Sequence, residues 1–449
     1  MARGRVRFEI SLQKARLSPP ALLACIYGLF IVFGAIILWL PVSQTGEVTL
    51  SDAFFTAASA VTVTGLVVVD TGSDFTLIGQ IVIALLIQVG GLGLMTFAAL
   101  LLTMLGMTIG MPQRLALRDE LGQTGLSELS ALIRIVILVA FTAEAIGTAA
   151  LMFVFVPDYG WSAGFWQALF HAISAFNNAG FSLFSDSLSA YVADPVVNIT
   201  ITALFIVGGL GFVVLADINK QRRWSKLMLH SKLMLSGTLF LIVFAWLMFA
   251  LLEWNNPATL AGLQTDGARI WASWFQAVTP RTAGFNTLDY AQMNDSTTIM
   301  TLALMLVGGG PSSTAGGIKV TTLIVLALAT LAFFRRQERL DMFGRSIGVS
   351  EIMKVLALTA LSIFLVLTGL FLVSLTYEGE FIDLVFEVFS AFGTVGLSRG
   401  ATGELDEFGR LVIVVMMFVG RLGPLTLAFF LATQTKPKVR YPEGRVFLG

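Results

Sequence analysis

Four short stretches of the chain share one pattern of residue types and end close to a glycine. They read FFTAASAVTVTGL at 54–66, LFHAISAFNNAGF at 169–181, WFQAVTPRTAGF at 274–285 and VFEVFSAFGTVGL at 385–397. Each has an aromatic residue, then small and apolar residues, then a short segment that closes on Gly65, Gly180, Gly284 or Gly396. Backbone carbonyls of four such loops, meeting around one axis, can replace the hydration shell of a cation without a buried formal charge. The pattern therefore indicates a cation pathway lined by main-chain oxygens.

The residues just before each glycine are the candidate ligands of that cation. Glycine suits such a site because a ladder of carbonyls needs dihedral angles that residues with a Cβ reach only at a cost. A short helix in front of each loop would also direct its negative C-terminal end at the axis. We predict a filter formed by Val63, Thr64 and Gly65; Asn178, Ala179 and Gly180; Thr282, Ala283 and Gly284; and Thr394, Val395 and Gly396.

A run rich in glycine interrupts one long apolar stretch, at 297–334. A continuous helix of this length would extend about 57 Å, far beyond the ~30 Å hydrocarbon core of a bilayer. The run consists of Gly308, Gly309, Gly310, Pro311, Ser312, Ser313, Thr314, Ala315, Gly316, Gly317, Ile318 and Lys319. Since glycine and proline break helices, we expect an intramembrane gating loop at 308–319 beneath the filter. The alternative is a kink for helix packing. A phosphate-binding loop is disfavoured, because the run has no adjacent Gly-Lys pair and no preceding strand.

Two basic residues at predicted membrane depth are further candidates for the gate. Arg421 lies in the apolar run 411–433, where a buried charge costs at least about 2.5–3.5 kcal/mol and should face the bundle interior or water. We hypothesise that Arg421 is an electrostatic barrier to cations below the filter. The alternative is a structural role, as a partner for a loop carbonyl or in helix packing. Lys319 either adds to the barrier or extends to the cytoplasm.

Two other polar residues fall in apolar segments. His171, in the second glycine stretch, is predicted to be a hydrogen-bonded packing residue rather than a proton relay, because no carboxylate is near it in sequence. Glu144 is a functional candidate because carboxylates are costly in a membrane. A structural pair with an arginine or a hydroxyl is the alternative for Glu144.

The composition is typical of an integral membrane protein. Of the 449 residues, 56% are hydrophobic and 12% are charged, and the mean hydropathy is +0.84. In soluble domains roughly 45–50% of the residues are apolar and roughly 25% are charged. Apolar stretches that could span a bilayer lie near 20–40, 75–104, 129–156, 195–217, 232–252, 297–334, 352–377 and 407–433. We predict an all-α membrane protein with eight transmembrane helices and four re-entrant pore helices. These would form four pseudo-symmetric helix–pore loop–helix repeats around one central pore.

Charge orients this arrangement in the lipid bilayer. Lysine and arginine collect at both ends of the chain and between the predicted repeats, and acidic residues collect on the other side. Because cytoplasmic segments are rich in basic residues, both termini are expected in the cytoplasm. The predicted organisation is an N-tail at 1–19, repeats at 20–104, 129–217, 232–334 and 352–433, and a C-tail at 434–449. The run at 21–40 is interpreted as a retained span rather than a signal peptide.

Several classes of function are disfavoured. The net charge of zero provides no basic surface for nucleic acid. One cysteine, Cys25, and two histidines cannot build a disulfide framework or a Cys/His metal site, and we expect no organic cofactor. A membrane-embedded lipid-modifying enzyme would need convergent acid/base groups or metal ligands, which the predicted spans lack. A proton-coupled solute carrier would show inverted repeats and midplane carboxylates, whereas these repeats share one direction.

The layout, the four glycines and the endings VTVTG, NNAG, RTAG and GTVG resemble the Ktr/Trk/HKT superfamily of cation transporters over essentially the whole chain. The sequence is most similar to the membrane subunits of bacterial Ktr systems. This resemblance implies uptake of K⁺ across the bacterial plasma membrane, with Na⁺ as an activator or coupling ion. It also implies a homodimer and a cytosolic nucleotide-binding RCK ring of the Ktr type as regulator. In that family a serine at the first filter glycine accompanies sodium permeability, so Gly65 implies a preference for potassium.

Overall fold

The computed structural model describes residues 19–93, 129–337 and 339–423. The predicted C-tail at 434–449 and residues 1–18 of the predicted N-tail lie outside them. The ends of two predicted spans, at 94–104 and 424–433, also lie outside the described residues.

The described part of the chain is mainly helical. Its α-helices are α1 Pro19–Trp39, α2 Leu50–Val61, α3 Leu77–Gly91, α4 Leu129–Phe176, α5 Pro195–Leu210, α6 Phe212–Gln221, α7 Leu229–Glu253, α8 Asp266–Val278, α9 Asp295–Leu306, α10 Val320–Phe334, α11 Val349–Val373, α12 Phe381–Gly393 and α13 Glu407–Leu422. Long helices expose apolar side chains on their outer faces, for example Phe153 (80% exposed) and Leu251 (74% exposed). Such faces are compatible with a lipid environment.

A small β-hairpin departs from the all-α prediction. Strand β1, Leu340–Met342, pairs antiparallel with β2, Arg345–Ile347. The two residues between the strands, Phe343 and Gly344, have φ of 52° and 73°, as the tight turn of a two-residue hairpin requires. Sequence analysis missed the hairpin because each strand has only three residues.

Helix length alone accounts for part of the predicted membrane spans. Within the described residues, three helical segments are long and apolar enough to cross a bilayer: Ile133–Phe176, Leu229–Glu253 and Val349–Val373. The bent pair Pro195–Leu210 and Phe212–Gln221 would make a fourth. Other predicted spans correspond to shorter apolar helices, among them α3, α9 and α10.

Four short helices lead into the four glycine loops. They are α2, the last part of α4, α8 and α12. In α4, Gly160 with φ of 80° and ψ of 170° separates a long first segment from the short second one. Each loop therefore begins at the C-terminal end of a helix, which carries a partial negative charge.

Two of the predicted apolar stretches, 195–217 and 297–334, are broken helices. The stretch 297–334 forms α9 and α10, with residues 307–319 between them. The stretch 195–217 was expected to be one span, but α5 and α6 meet at Gly211 with a bend of 91°. The reason is contact with the loop: Phe212 N donates to Ser312 O over 2.9 Å. A Cβ at Gly211, whose φ is 98°, would lie 2.7 Å from the Pro311 carbonyl oxygen.

Candidate cation site

The four predicted filter glycines are neighbours in a closed ring. Each glycine lies so close to the next loop that a Cβ would meet its backbone, in the order Gly65, Gly180, Gly284, Gly396 and back to Gly65. The carbonyl oxygens met are those of Ala179, Ala283, Val395 and Thr64. A sequence of contacts that returns to its starting point places the four loops around one axis. The ring is therefore lined by main-chain atoms from four separate parts of the chain.

The four loops also share one backbone conformation. The glycines have φ between 69° and 93°. Two positions before each glycine, a residue with a side chain is also left-handed: Val63 (56°), Asn178 (59°), Thr282 (68°) and Thr394 (51°). Left-handed conformations outside glycine cost on the order of 1–3 kcal/mol each and persist where the surroundings impose them, commonly at functional sites. Three of these four residues are β-branched, for which the conformation is a marked outlier.

The short helices hold the loops through equivalent hydrogen bonds. The amide before the glycine donates to a carbonyl in the last helical turn, as in Thr64 N to Ser59 O (2.9 Å) and Val395 N to Ser390 O (2.8 Å). In these two repeats the same serines also accept a bond from the glycine N–H through Oγ, both at 3.0 Å. Sequence analysis missed Ser59 and Ser390. The signal was present, since both precede their glycine by the same number of residues.

A buried carboxylate fixes the chain as it leaves the fourth loop. Glu387 of α12 is fully buried. It accepts hydrogen bonds from Ser398 Oγ and Thr402 Oγ1, both at 2.5 Å, and from Arg399 N at 3.1 Å. Arg399 in turn pairs with Asp383 at 2.5 Å. Sequence analysis did not single out Glu387, although a carboxylate in a short apolar helix is unusual.

The loop 308–319 packs against the ring. Gly308 N donates to Ile318 O (2.8 Å) and closes the base of the loop. Thr314 Oγ1 donates to Oδ1 of Asn178, a residue of the predicted filter, over 2.8 Å. A Cβ on Gly316 would overlap the side chain of Thr394, so the loop also touches the fourth predicted filter segment.

The other loop residues bind the broken helix and the loop itself. Gly310 N donates to Gly209 O (2.8 Å), near the end of α5. Toward the broken helix, Phe212 N also donates to Ser312 O (2.9 Å), and Pro311 O lies beside Gly211. Within and at the end of the loop, the bonds are Ser313 Oγ to Gly310 O (2.7 Å), Ala315 N to Ser313 Oγ (3.2 Å) and Val320 N to Gly309 O (3.1 Å). Gly317 has a φ of 64°. The loop is thus tied on one side to the ring and on the other to the bend between α5 and α6.

Arg421 is attached to the same loop. Its guanidinium donates to the carbonyl oxygens of Thr314, Gly90 and Gly91, the last over 3.3 Å. Gly90 and Gly91 end α3, where the helix presents its negative end. These contacts match the structural alternative that the sequence left open, a bond to a loop carbonyl. One of the three, Thr314, also binds Asn178 of the predicted filter; the barrier hypothesis stays a prediction.

Lys319 binds the loop rather than extending away from it. Its Nζ donates to Ala315 O (2.7 Å) and Gly316 O (3.2 Å). The alternative in which Lys319 extends to the cytoplasm is therefore not the observed conformation. Carbonyl oxygens of the loop itself are thus the acceptors.

The two other polar candidates make local contacts. The ring nitrogens of His171 lie 2.8 Å from Gln167 O and 3.0 Å from Ser182 Oγ, as expected of a packing residue. Glu144 Oε1 accepts a bond from Asn177 Nδ2 over 3.2 Å. Among the described residues its side-chain partner is thus an amide, and neither an arginine nor a hydroxyl pairs with the carboxylate there.

Side-chain ligands are not grouped for a metal ion. Among the described residues, no three histidine, cysteine, aspartate or glutamate side chains come together to bind a metal.

Comparison with known proteins identifies the family. The model of the TrkH family, described as a cation transport protein, matches residues 27–438. The Ktr system potassium uptake protein B of Bacillus subtilis is 49% identical over 97% of each chain. The potassium/sodium uptake protein NtpJ of Enterococcus hirae is 39% identical over 97% of this chain and 98% of that protein.

A solved structure shows the same fold. The crystal structure of the potassium transporter TrkH from Vibrio parahaemolyticus superposes with a TM-score of 0.73 over 95% of this chain and 87% of that one, at 19% identity. The predictions of a membrane transporter fold and of a transporter rather than an enzyme are confirmed by the family and this fold. The chain belongs to the TrkH family of cation transport proteins.

Proposed function

We propose that the chain carries potassium ions into the cell through the ring of four glycine loops. The observation that carries the proposal is the closed ring in which each glycine lies against the carbonyl-bearing backbone of the next loop. Relatives named as potassium uptake proteins support potassium as the ion. The ligands would be main-chain oxygens of the predicted filter, with K⁺ as the transported substrate.

The electrostatics of the ring favour a cation without a fixed counter-charge. Each of the four short helices ends just before its loop, and a helix C-terminus carries about half a negative elementary charge. Partial charges attract K⁺ but bind it less tightly than carboxylates would, and conduction needs an ion that can also leave. This balance suits transport rather than storage of the ion.

The loop 308–319 is proposed as the gate. It lies against filter residues from the second and fourth repeats, and Arg421 fastens it to the end of α3. Opening would require these bonds to break. We further propose control by a cytosolic RCK ring, dependence on Na⁺ and a homodimer in the plasma membrane, with both termini cytoplasmic. Naming of two relatives as parts of a Ktr system supports a partner component.

The uptake function is tested in a bacterial strain that lacks its own potassium uptake systems. Expression of the full chain, with the matching cytosolic subunit of a Ktr system, is expected to restore growth at low external potassium and to support rubidium uptake. Failure of both, with the protein present in the membrane, would refute the proposal. Rubidium uptake without any effect of sodium would remove only the sodium dependence.

The bond between the loop and the filter leads to a prediction for Thr314. Replacing Thr314 by valine keeps its shape but removes the hydroxyl that donates to Asn178. A bond of this kind contributes about 0.5–1.5 kcal/mol, so the loop should open more often. Rubidium uptake without the cytosolic subunit is expected to rise about two- to tenfold. Thr322→Val, in α10, is the control and should leave uptake unchanged.

A further inference from the structure

A cavity lies where α10, the β-hairpin and α11 meet. Its volume is about 530 Å³, which is within the range of roughly 300–1,000 Å³ that is typical of ligand sites. The last turns of α10 form one wall, the hairpin with the residues before it forms another, and the first turn of α11 forms a third. We call this space the hairpin cavity. It is separate from the ring of glycines, because it is lined neither by the predicted filter residues nor by the loop 308–319.

The hairpin cavity has a polar end and an apolar end. Gln337, Arg339 and Ser346 line it at the hairpin. Along the two helices its walls are apolar, and they include Phe333 of α10 and Val349 of α11. A ligand that fills the whole space must therefore carry a polar group at one end and hydrocarbon at the other. Soluble phosphate compounds lack the hydrocarbon that the helix walls would contact.

The polar end of the hairpin cavity is positively charged. Arg339 is the one charged residue among the described residues that line the cavity. Its side chain is exposed, and it forms none of the ion pairs found within residues 19–93, 129–337 and 339–423. Other exposed arginines lie nearby in the sequence: Arg335, Arg336 and Arg345. Because a guanidinium can donate two parallel hydrogen bonds to a phosphate, the polar end fits a phosphate group.

The apolar walls continue into exposed faces of both helices. Phe333 and Phe334 of α10 are 79% and 76% exposed, and Val349 of α11 is 71% exposed. An exposed tryptophan, Trp224, packs edge to face on Phe343 of the hairpin, with ring centroids 6.3 Å apart. Exposed tryptophan is typical of the boundary between membrane and water. These features indicate that the hairpin lies at the membrane surface and that the helix walls meet lipid acyl chains.

We propose that the hairpin cavity binds one anionic phospholipid of the surrounding bilayer, with its phosphate on Arg339 and its acyl chains along Phe333 and Val349. Basic pockets between helices at the membrane surface bind the head groups of anionic lipids. A zwitterionic phospholipid would add an ammonium group, and the described lining residues include no carboxylate to pair with it. The site therefore prefers phosphatidylglycerol to phosphatidylethanolamine. The lipid is a bound ligand and is not transported, so the inference goes beyond the proposed function.

Native mass spectrometry provides a direct test of lipid binding. The full chain in detergent, with equal amounts of phosphatidylglycerol and phosphatidylethanolamine added, is expected to retain phosphatidylglycerol preferentially. Detergent presents no charged bilayer surface, so the preference reports direct contact. Arg339→Gln should weaken the binding of phosphatidylglycerol about tenfold, because it removes charged hydrogen bonds to the phosphate. Arg336→Gln is the matched control, since Arg336 is also exposed but does not line the cavity. It should leave the binding unchanged.

Thermal stability gives a second readout that does not depend on ion uptake. Added phosphatidylglycerol is expected to raise the Tm of the purified chain by several degrees, because it binds the folded state. Phosphatidylethanolamine and inorganic phosphate should raise the Tm less, since neither matches both ends of the cavity. Arg339→Gln should lose most of the rise, and Arg336→Gln should keep it. An equal rise with inorganic phosphate would assign the cavity to a soluble anion. Equal binding of the two lipids, or equal loss in the two variants, would mean unspecific adsorption. Each of these three results would overturn the proposal even if the chain takes up potassium.

Discussion

Replacing Gly284 by alanine is expected to lower rubidium uptake about a hundredfold, while the protein still reaches the membrane. The added Cβ would overlap the Val395 carbonyl oxygen and lie 2.7 Å from the Gly180 Cα. Both contacts are backbone atoms of the ring, which cannot move aside as a flexible side chain would. A displacement of about 1 Å among positioned groups can cost roughly a hundredfold in rate. Uptake is measured with radioactive rubidium and normalised to the amount of protein in the membrane.

Gly160 supplies a matched control for this substitution. Gly160 and Gly284 both have φ of 80°, so alanine must adopt an unfavourable positive φ at either position. A Cβ at Gly160, however, would meet no atom within 4 Å. Gly160→Ala is expected to retain most of the uptake. Equal loss in both variants would mean that backbone strain, and not collision inside the ring, is responsible.

Replacing Arg421 by glutamine is expected to raise rubidium uptake in the absence of the cytosolic subunit by about ten- to a hundredfold. The substitution removes charged hydrogen bonds to Thr314 of the loop and to Gly90 of α3. Such bonds contribute about 1.5–3 kcal/mol. Losing this free energy shifts the equilibrium between the closed and the open loop by about ten- to a hundredfold. Unaltered uptake would contradict both the fastening role and the barrier role.

Arg421→Lys separates the two roles. Lysine keeps the positive charge but cannot reach several carbonyls with a rigid planar fork. If the bonds to the loop keep the gate closed, the lysine variant should also show raised uptake. Uptake that stays low in the lysine variant and rises only in the glutamine variant would assign the effect to charge.

The internal repeat explains why the positions of the loops were predictable. Gly65, Gly180, Gly284 and Gly396 follow the same pattern of residues, so each copy supports the assignment of the others. The interruption at 308–319 was predictable for a local reason, because several glycines and a proline cannot continue a helix. Both features depend on residues close together in the sequence.

The features that were not predicted depend on contacts between distant segments. The bend at Gly211 exists because the loop at Pro311 and Ser312 packs into it. A linear pattern of residue types carries no information on such pairings.

The position of a bound ion tests the central claim most directly. Crystals of the full chain in which rubidium replaces potassium are predicted to show an anomalous peak on the axis of the ring, coordinated by main-chain oxygens that include those of Thr64, Ala179, Ala283 and Val395. An empty ring in protein that takes up rubidium, with the ion bound elsewhere in the molecule, would contradict the account.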